Sequence, residues 1–140
     1  MLEAGVRLRE SGMDLWDMVI IGLAGEKDSH IHISETVKMI NLMKPRHLSA
    51  LVYTPSEGTP MCEDVKAGRF TCITPEQALQ EVKWLVEGLE VDPLHFTANH
   101  ASNYLPIKGG LPEDRDYFLK LIQSALDGKV AIRTERPEVM

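Results

Sequence analysis

The chain has 140 residues and a formal net charge of -6, and 44% of its residues are hydrophobic. This length suits one domain around one core, and it is too short for a complete (β/α)₈ barrel, which needs about 200–250 residues. The acidic balance argues against nucleic acid as a partner, because neutralising phosphates requires a basic face. No apolar run approaches the roughly 18 residues that span a membrane, and the N-terminus has no apolar signal region. We therefore expect a cytoplasmic protein.

The two cysteines, Cys62 and Cys72, limit the chemistry that the chain can support. They are too few for a disulfide scaffold or for a metal site made of cysteine alone. In the cytoplasm both are expected to stay reduced. We assign no metal ligand from the sequence.

Hydrophobic periodicity and turn residues predict helices that alternate with strands. Thr74, Pro75 and Gln77 are typical of a capped helix start. Gly, Pro and polar residues fill the stretches after each predicted strand, including a long polar loop over 99–110. In chain order the predicted elements are a helix over 1–11, a strand near 17–22, a helix over 29–43, a strand near 48–53, a short helix over 61–66, a helix starting at Pro75, a strand near 94–98 and a helix over 112–126.

This alternation predicts a parallel sheet with right-handed crossovers. The loops 22–28, 54–60 and 99–110 all follow strands, so they should lie at one edge of the sheet, where parallel α/β folds carry their chemistry. Three parallel strands leave two open edges that favour pairing with another chain. The simplest interpretation is that the chain is part of a larger barrel. The other is that it is complete and closes its edges by dimerising.

Three segments together resemble one family. Val19–Glu26 is similar to the strand followed by G-L-P-G-E in radical S-adenosylmethionine (SAM) enzymes, and Thr54–Met61 resembles their P-x-x-G-T-P-L loop. Asn99–Pro106 resembles the D-H-x-S-N-Y-L-x segment of a branch described as uncharacterised iron–sulfur oxidoreductase-like proteins. The segments occur in the family's order, and the resemblance covers residues 1–127. Residues 128–140 are predicted to form a loose tail.

The resemblance implies an α/β fold that is the C-terminal part of a partial (β/α) TIM-like barrel. It would contain about three parallel strands and four to five helices, followed by a C-terminal extension within 1–127. The family's cluster-binding C-x-x-x-C-x-x-C motif is absent, and neither Cys62 nor Cys72 matches one of its ligands. The expected partner is therefore the missing N-terminal half of the same protein, and this chain is expected to be inactive alone.

The activity implied by the resemblance is reductive cleavage of SAM by a [4Fe-4S] cluster. This produces a 5′-deoxyadenosyl radical that acts on an unknown small-molecule substrate. The resemblance assigns part of the adenosine site to the two strand ends, although the glycines would equally serve a tight turn. No cofactor is expected to bind tightly to this chain alone. The residues assigned to cofactor binding are Ile21, Gly22, Gly25, Val52 and Tyr53.

The segment 99–104 is the densest polar run in the chain. It either forms internal hydrogen bonds or lines the site on the substrate side. His100 is the catalytic candidate, because imidazole can donate or accept a proton near neutral pH. The residues assigned to the substrate side are Asn99, Ser102, Asn103 and Tyr104.

A second polar group consists of Glu26, Asp28, His30 and His32, which could act as a metal or acid–base cluster. A solvated surface is the more economical interpretation, because His30 and His32 point in different directions on a helix.

Two other classes of function are consistent with the same residues. One is a complete, non-catalytic binding or interaction module, which could form a homodimer through an exposed strand edge. The other is a small phosphate-binding α/β enzyme that uses the Gly22–Gly25 loop ahead of a helix N-terminus. This loop lacks the lysine and serine of a P-loop, so the phosphate-binding enzyme ranks last.

Overall fold

The computed structural model describes residues 1–134, which form five helices and four strands. None of the helices in this part of the chain combines the length and the apolarity needed to cross a lipid bilayer. The elements are α1 (Leu2–Glu10), β1 (Trp16–Ile21), α2 (Ser29–Met43), β2 (His47–Val52), α3 (Pro60–Lys66), α4 (Pro75–Gly88), β3 (Leu94–Ala98), β4 (Ile107–Leu111) and α5 (Arg115–Leu126).

The strands form one open sheet in the order β1-β2-β3-β4. The three predicted strands lie within one residue of their expected bounds and pair in parallel, in sequential order. The α/β class and the parallel pairing are therefore confirmed. The fourth strand, β4, pairs antiparallel with β3.

The prediction of a loop over 99–110 was wrong for β4. The stretch Ile107–Leu111 contains a lysine and two glycines, so it lacks the alternation and the β-branched residues that indicate a strand. Packing explains the glycine at 109: a Cβ there would lie 2.7 Å from Cζ of the Phe118 ring. Gly109 thus lets α5 pack closely against the strand.

Side chains alternate between two unequal faces of the sheet. One face, called here the covered face, packs against α2, α4 and α5 and forms a single core with them. The other is called the open face. The buried strand residues of the covered face are Val19, Ile21, Leu48, Ala50, Val52, Leu94, Phe96, Ala98, Ile107 and Leu111. By the same alternation, the open face carries Trp16, Met18, Ile20, His47, Ser49, Leu51, His95, Thr97, Lys108 and Gly110.

Local sequence signals explain where α4 begins, whereas α5 begins later than its sequence predicted. The predicted capping box is present at α4, where the Gln77 amide donates to Thr74 Oγ1 at 3.2 Å and the Thr74 amide donates to Gln77 Oε1 at 2.8 Å. The helix α5 starts at Arg115, three residues later than predicted. Asp114 Oδ2 accepts a hydrogen bond from the Gly110 amide at 2.8 Å, which closes a turn between β4 and the helix.

The segment after α5 contacts the rest of the fold. Val130 and Ile132 pack against the core, and the Arg133 amide donates to the Tyr104 carbonyl at 2.7 Å. In the described part of the predicted loose tail, 128–134, these contacts hold the chain against the core. Residues 135–140 lie outside the described residues.

The packing of α5 against the sheet yields a stability prediction. Phe118 is fully buried, with its ring centroid 6.2 Å from that of Phe96 on β3. Phe118→Ala should lower the free energy of unfolding by about 3–5 kcal/mol, because it removes buried area and leaves a cavity. Denaturant unfolding measures the loss. The neighbouring Tyr117 is 63% exposed, so Tyr117→Ala should change stability by less than about 1 kcal/mol. Equal losses in the two variants would contradict this packing.

Candidate functional site

Three loops meet at one edge of the sheet. They follow β1, β2 and β3, whose parallel arrangement places their carboxyl ends together. Residues 22–28 and 54–60 form the first two loops, and the polar run 99–104 begins the third. The sequence-predicted site residues therefore lie in one region of the fold, although their side chains do not all face the same way.

The glycines of the first loop are in close contact with the chain's own residues. Gly22 and Gly25 have φ angles of 78° and 69°, which favour glycine. A Cβ at Gly22 would lie 2.6 Å from Cδ1 of Ile73, and one at Gly25 would lie 2.8 Å from the Thr71 carbonyl oxygen. Because these two residues lack a Cβ, the segment 70–73 can pack directly against them.

The strand-end residues assigned to the cofactor are largely buried. Ile21 and Val52 point into the core on the covered face. Tyr53 is half-buried: its ring meets Phe70 edge-on at 6.1 Å, and its hydroxyl has no hydrogen-bond partner among the described residues. Burial raises the pKa of Tyr53, and the nearby thiols of Cys72 and Cys62 raise it further. A ligand at these strand ends would thus meet backbone and the Tyr53 ring, with the Ile21 and Val52 side chains turned away.

Asn103 is buried and holds the end of β2 in place. Its Oδ1 accepts from the Val52 amide at 3.0 Å, and its Nδ2 donates to the Ala50 carbonyl at 2.8 Å. The pairing of β2 with β3 ends at Ser49 and Thr97, so this side chain supplies the next bonds in place of a strand. Asn103 was predicted to lie on the substrate side, but its side-chain amide instead forms hydrogen bonds with the backbone of β2.

Ser102 connects this arrangement to His100. Ser102 Oγ lies 3.2 Å from the Val52 amide that it accepts from, and 2.9 Å from Nδ1 of His100. The Ser102 amide also donates to that Nδ1 at 3.2 Å. With Nδ1 accepting, the neutral imidazole of His100 carries its proton on Nε2. His100 is exposed, so Nε2–H is the donor that this ring can offer to a ligand.

A cavity of about 200 Å³ lies on the open face beside His100. Two hydroxyls on adjacent strands bond to each other within its lining, with Ser49 Oγ 2.9 Å from Thr97 Oγ1. Tyr104 and Ser102 are buried and do not line it, whereas Asn99 does. The lining residues are Met18, Ser49, Ala50, Leu51, Thr97, Asn99 and His100. Of the predicted polar run, His100 and Asn99 are thus the two that reach this cavity.

Glu81 is a buried carboxyl that the sequence predictions did not include. On α4 it is fully buried, and it accepts from the Gly22 amide at 2.7 Å and from Ser29 Oγ at 2.5 Å. Burial raises its pKa, although these two hydrogen bonds act in the opposite direction. An acidic residue at helical spacing from Ala78 and Leu85, on the apolar face of the predicted helix, was the available signal. Glu81 anchors the loop after β1 to the start of α2.

The second predicted polar group does not converge. His32 Nε2 lies 3.0 Å from the Ile20 carbonyl oxygen, whereas His30 meets Trp84 edge-on at 4.9 Å. Glu26 accepts from Gln77 at 3.1 Å, and Asp28 is exposed. Within residues 1–134, no group of three or more His, Cys, Asp or Glu is placed to hold a metal ion.

Comparisons with protein-family models, with curated proteins and with solved structures found no match. The case for a function therefore depends on the site itself and on the three motifs.

The role of Asn103 can be tested by substitution. Asn103→Ala removes the bond to the Ala50 carbonyl, at a cost of about 1–3 kcal/mol for an unsatisfied buried group, while the Val52 amide keeps its bond to Ser102 Oγ. The free energy of unfolding from denaturant titration should fall accordingly. Asn99→Ala, at an exposed position in the same segment, should change it by less than about 0.5 kcal/mol. An Asn103 variant as stable as the parent would show that these bonds contribute nothing.

The raised pKa of Glu81 predicts a pH dependence of stability. The folded state holds this proton where the unfolded state has lost it, so stability falls as the pH rises from the ordinary value of 4.5 through the raised folded value. Glu81→Gln removes this titration, and its amide can still bond to Gly22 and Ser29. The variant should therefore gain stability relative to the parent as the pH rises over that window.

Denaturant unfolding at a series of pH values measures this difference. Glu87→Gln is the matched control, because Glu87 is an exposed carboxylate on the same helix. A constant difference between Glu81→Gln and the parent at every pH would contradict the prediction.

Proposed function

We propose that this chain forms the C-terminal sector of a radical SAM barrel and supplies part of the adenosine site and the substrate-facing rim. The observation that carries the proposal is the strand order. Strands β1, β2 and β3 are parallel and sequential, with no reversal of the kind that marks a doubly wound sheet. Neighbouring helices contact in chain order, α1 with α2, α2 with α4 and α4 with α5, as in the outer layer of a barrel.

The two edges of the sheet support different roles within such a barrel. On the β4 side the parallel series ends, because β4 runs antiparallel to β3. On the other side, β1 has no neighbouring strand among the described residues. The Leu15 carbonyl accepts from the His47 amide of β2, and the Ile21 carbonyl accepts from the Tyr53 amide that follows β2. The backbone of the alternate residues Trp16 and Met18 therefore faces the outer edge. The proposal places the preceding barrel strand, from the N-terminal half of the protein, against this edge.

Two cofactors belong to the proposal, and the residues present fit them differently. A [4Fe-4S] cluster does not fit the described residues, since Cys62 is buried and no third ligand accompanies it and Cys72. The adenosine of SAM fits better, at the Tyr53 ring and hydroxyl beside the Gly22 turn, whose own amide and carbonyl are bonded to Glu81 and to the Gly25 amide. Because the segment 70–73 fills the space beside the glycines, adenosine would have to approach from the open face. The proposed N-terminal half would hold the cluster, which together with SAM would supply the radical chemistry.

The chain's own residues then have separate tasks. Glu81 orients the Gly22 loop through its amide, and Asn103 with Ser102 holds the end of β2. His100 presents Nε2–H to the open-face cavity, where it positions the substrate or exchanges a proton with it.

The coding sequence around this chain tests the proposal directly. An in-frame segment preceding Met1 that encodes C-x-x-x-C-x-x-C would support it, whereas an in-frame stop codon there would overturn it. Anaerobic reconstitution of the longer protein should then give iron content and cleavage of SAM to 5′-deoxyadenosine.

His100 is expected to act on the substrate side of the longer protein. His100→Ala should leave cluster content and uncoupled SAM cleavage unchanged and lower turnover of the true substrate by about 10²–10⁴-fold if the ring transfers a proton. Both assays are made on one preparation. His30→Ala, which removes a histidine from the helix layer, is the control and should leave turnover unchanged. Unaltered turnover in His100→Ala would make the residue structural.

A non-catalytic interaction module remains a second candidate, because Trp16 and Met18 are 70% and 71% exposed on the unpaired edge strand. Both interpretations predict that the chain alone self-associates through this surface.

Met18→Lys should shift the sedimentation velocity distribution towards the monomer, because like charges would oppose each other across the contact. Tyr117→Lys, at an equally accessible aromatic residue on α5, should not do so. A monomeric parent at high concentration would contradict an association surface at β1.

A further inference from the structure

We propose that the open-face cavity beside His100 binds the carboxylate of a small organic acid with a short apolar chain. This extends the proposed function, because it gives the substrate side of the site a ligand class. It does not depend on radical chemistry, however, and it can be measured on the 140-residue chain.

The strand register places the cationic side chain of Lys108 next to the cavity. Met18, Ser49, Thr97 and Lys108 are successive partners across the four strands. Gly109 faces α5 on the covered side, so the neighbouring Lys108 faces the open side. Its Cβ lies about 4.5–5.5 Å from that of Thr97, the usual separation of directly opposed residues. The flexible lysine side chain therefore brings its ammonium group within reach of the cavity rim.

Lys108 has no charge partner in the described part of the chain. It is exposed and forms neither an ion pair nor a side-chain hydrogen bond there. Two carboxylates lie near the glycines of β4: Asp114 Oδ2 accepts from the Gly110 amide at 2.8 Å, and Glu113 Oε2 would lie 3.4 Å from a Cβ at Gly110. The ammonium group of Lys108 is thus available to a ligand anion.

The remaining polar groups at the cavity are donors or can act as donors. His100 presents Nε2–H because its Nδ1 accepts from the Ser102 amide. The Ser49 and Thr97 hydroxyls bond to each other, which leaves one hydroxyl proton to point outward. Asn99 adds an amide at the rim. A carboxylate, which accepts through both oxygens, satisfies this set better than any neutral or cationic group.

The charged side chains on the open face also favour an anion. In the described strands β1 to β4, no side chain on this face is acidic, although Glu113 lies beside Gly110 and the whole chain has a net charge of -6. Asp17, the acidic residue of β1, lies on the covered side of the alternation. The basic residues of the face are His47, His95 and Lys108. Lys108 therefore gives this face a positive charge in an otherwise acidic protein, which favours an anion.

The cavity also limits the size of the ligand. Its volume of about 200 Å³ is below the roughly 300–1,000 Å³ of pockets for drug-sized molecules. Met18 and Leu51 form its apolar lining on the side of β1 and β2. An acid of a few carbons, with the carboxylate towards Lys108 and the alkyl group towards Met18, matches both properties.

The test is an NMR titration of the full chain with sodium isobutyrate, followed through the methyl signals of Met18 and Leu51. We expect saturable shifts of these methyls and of the His100 ring. Isobutyramide has the same shape without the charge, and it should bind at least about threefold more weakly. Lys108→Gln should weaken isobutyrate binding by about three- to fivefold, the range of an exposed ion pair. Lys66→Gln on α3 is the matched control and should leave the affinity unchanged.

His100→Ala should weaken isobutyrate binding similarly, whereas His30→Ala should not. Lys108 and His100 are both exposed, so amide spectra can establish that each variant keeps the fold. Equal binding of the amide, an unchanged affinity in Lys108→Gln, or shifts that never saturate would overturn the inference. A parallel titration with 5′-deoxyadenosine, followed at the Gly22 and Gly25 amides, tests the proposed adenosine site. Failure of that titration alone would leave the carboxylate site standing.

Discussion

Burial of one face of the sheet beneath α2, α4 and α5 is the interaction on which the remaining structure depends. Fully buried side chains such as Leu48, Phe96 and Ile122 meet there. Because side chains alternate along a strand, covering one face leaves the other half of the residues on the open side. The parallel strands then bring their loops to one edge. The cavity beside His100 exists because the helices occupy a single side of the sheet.

Two buried polar residues hold the carboxyl ends of β1 and β2 in place. Glu81 and Asn103 bond to backbone groups at the ends of β1 and β2, where no strand partner is present. Leaving a buried backbone group without a hydrogen-bond partner is costly. These side chains therefore form the hydrogen bonds that a neighbouring strand would otherwise form. Most of the polar groups near the loops are consequently committed to the fold. His100 and Asn99 remain available, and with Lys108 they define the chemistry that the open face can offer.

The glycines in the first loop illustrate how a motif can serve two purposes. Gly22 and Gly25 admit the segment 70–73, which is sufficient reason for both residues. The proposed function places a nucleoside at the same turn, at the end of β1. The two roles require opposite sides of one loop. The proposed radical SAM barrel therefore depends on the strand order and the open β1 edge more than on the glycines.

Much of the fold was predictable because its signals are local. The capping box at Thr74, the glycine and proline boundaries and the apolar runs of β1, β2 and β3 act within a few residues of each other. They determined the α/β class and the parallel pairing, and the polarity of 99–104 indicated the candidate site. Only tertiary structure decided the rest. Strand β4 forms because β3 and α5 offer a place for Gly109. Asn103 is structural because β3 leaves β2 after Thr97, and Glu81 is buried because α4 packs over Gly22. These outcomes depend on contacts between residues far apart in the chain, which neither periodicity nor local propensity encodes.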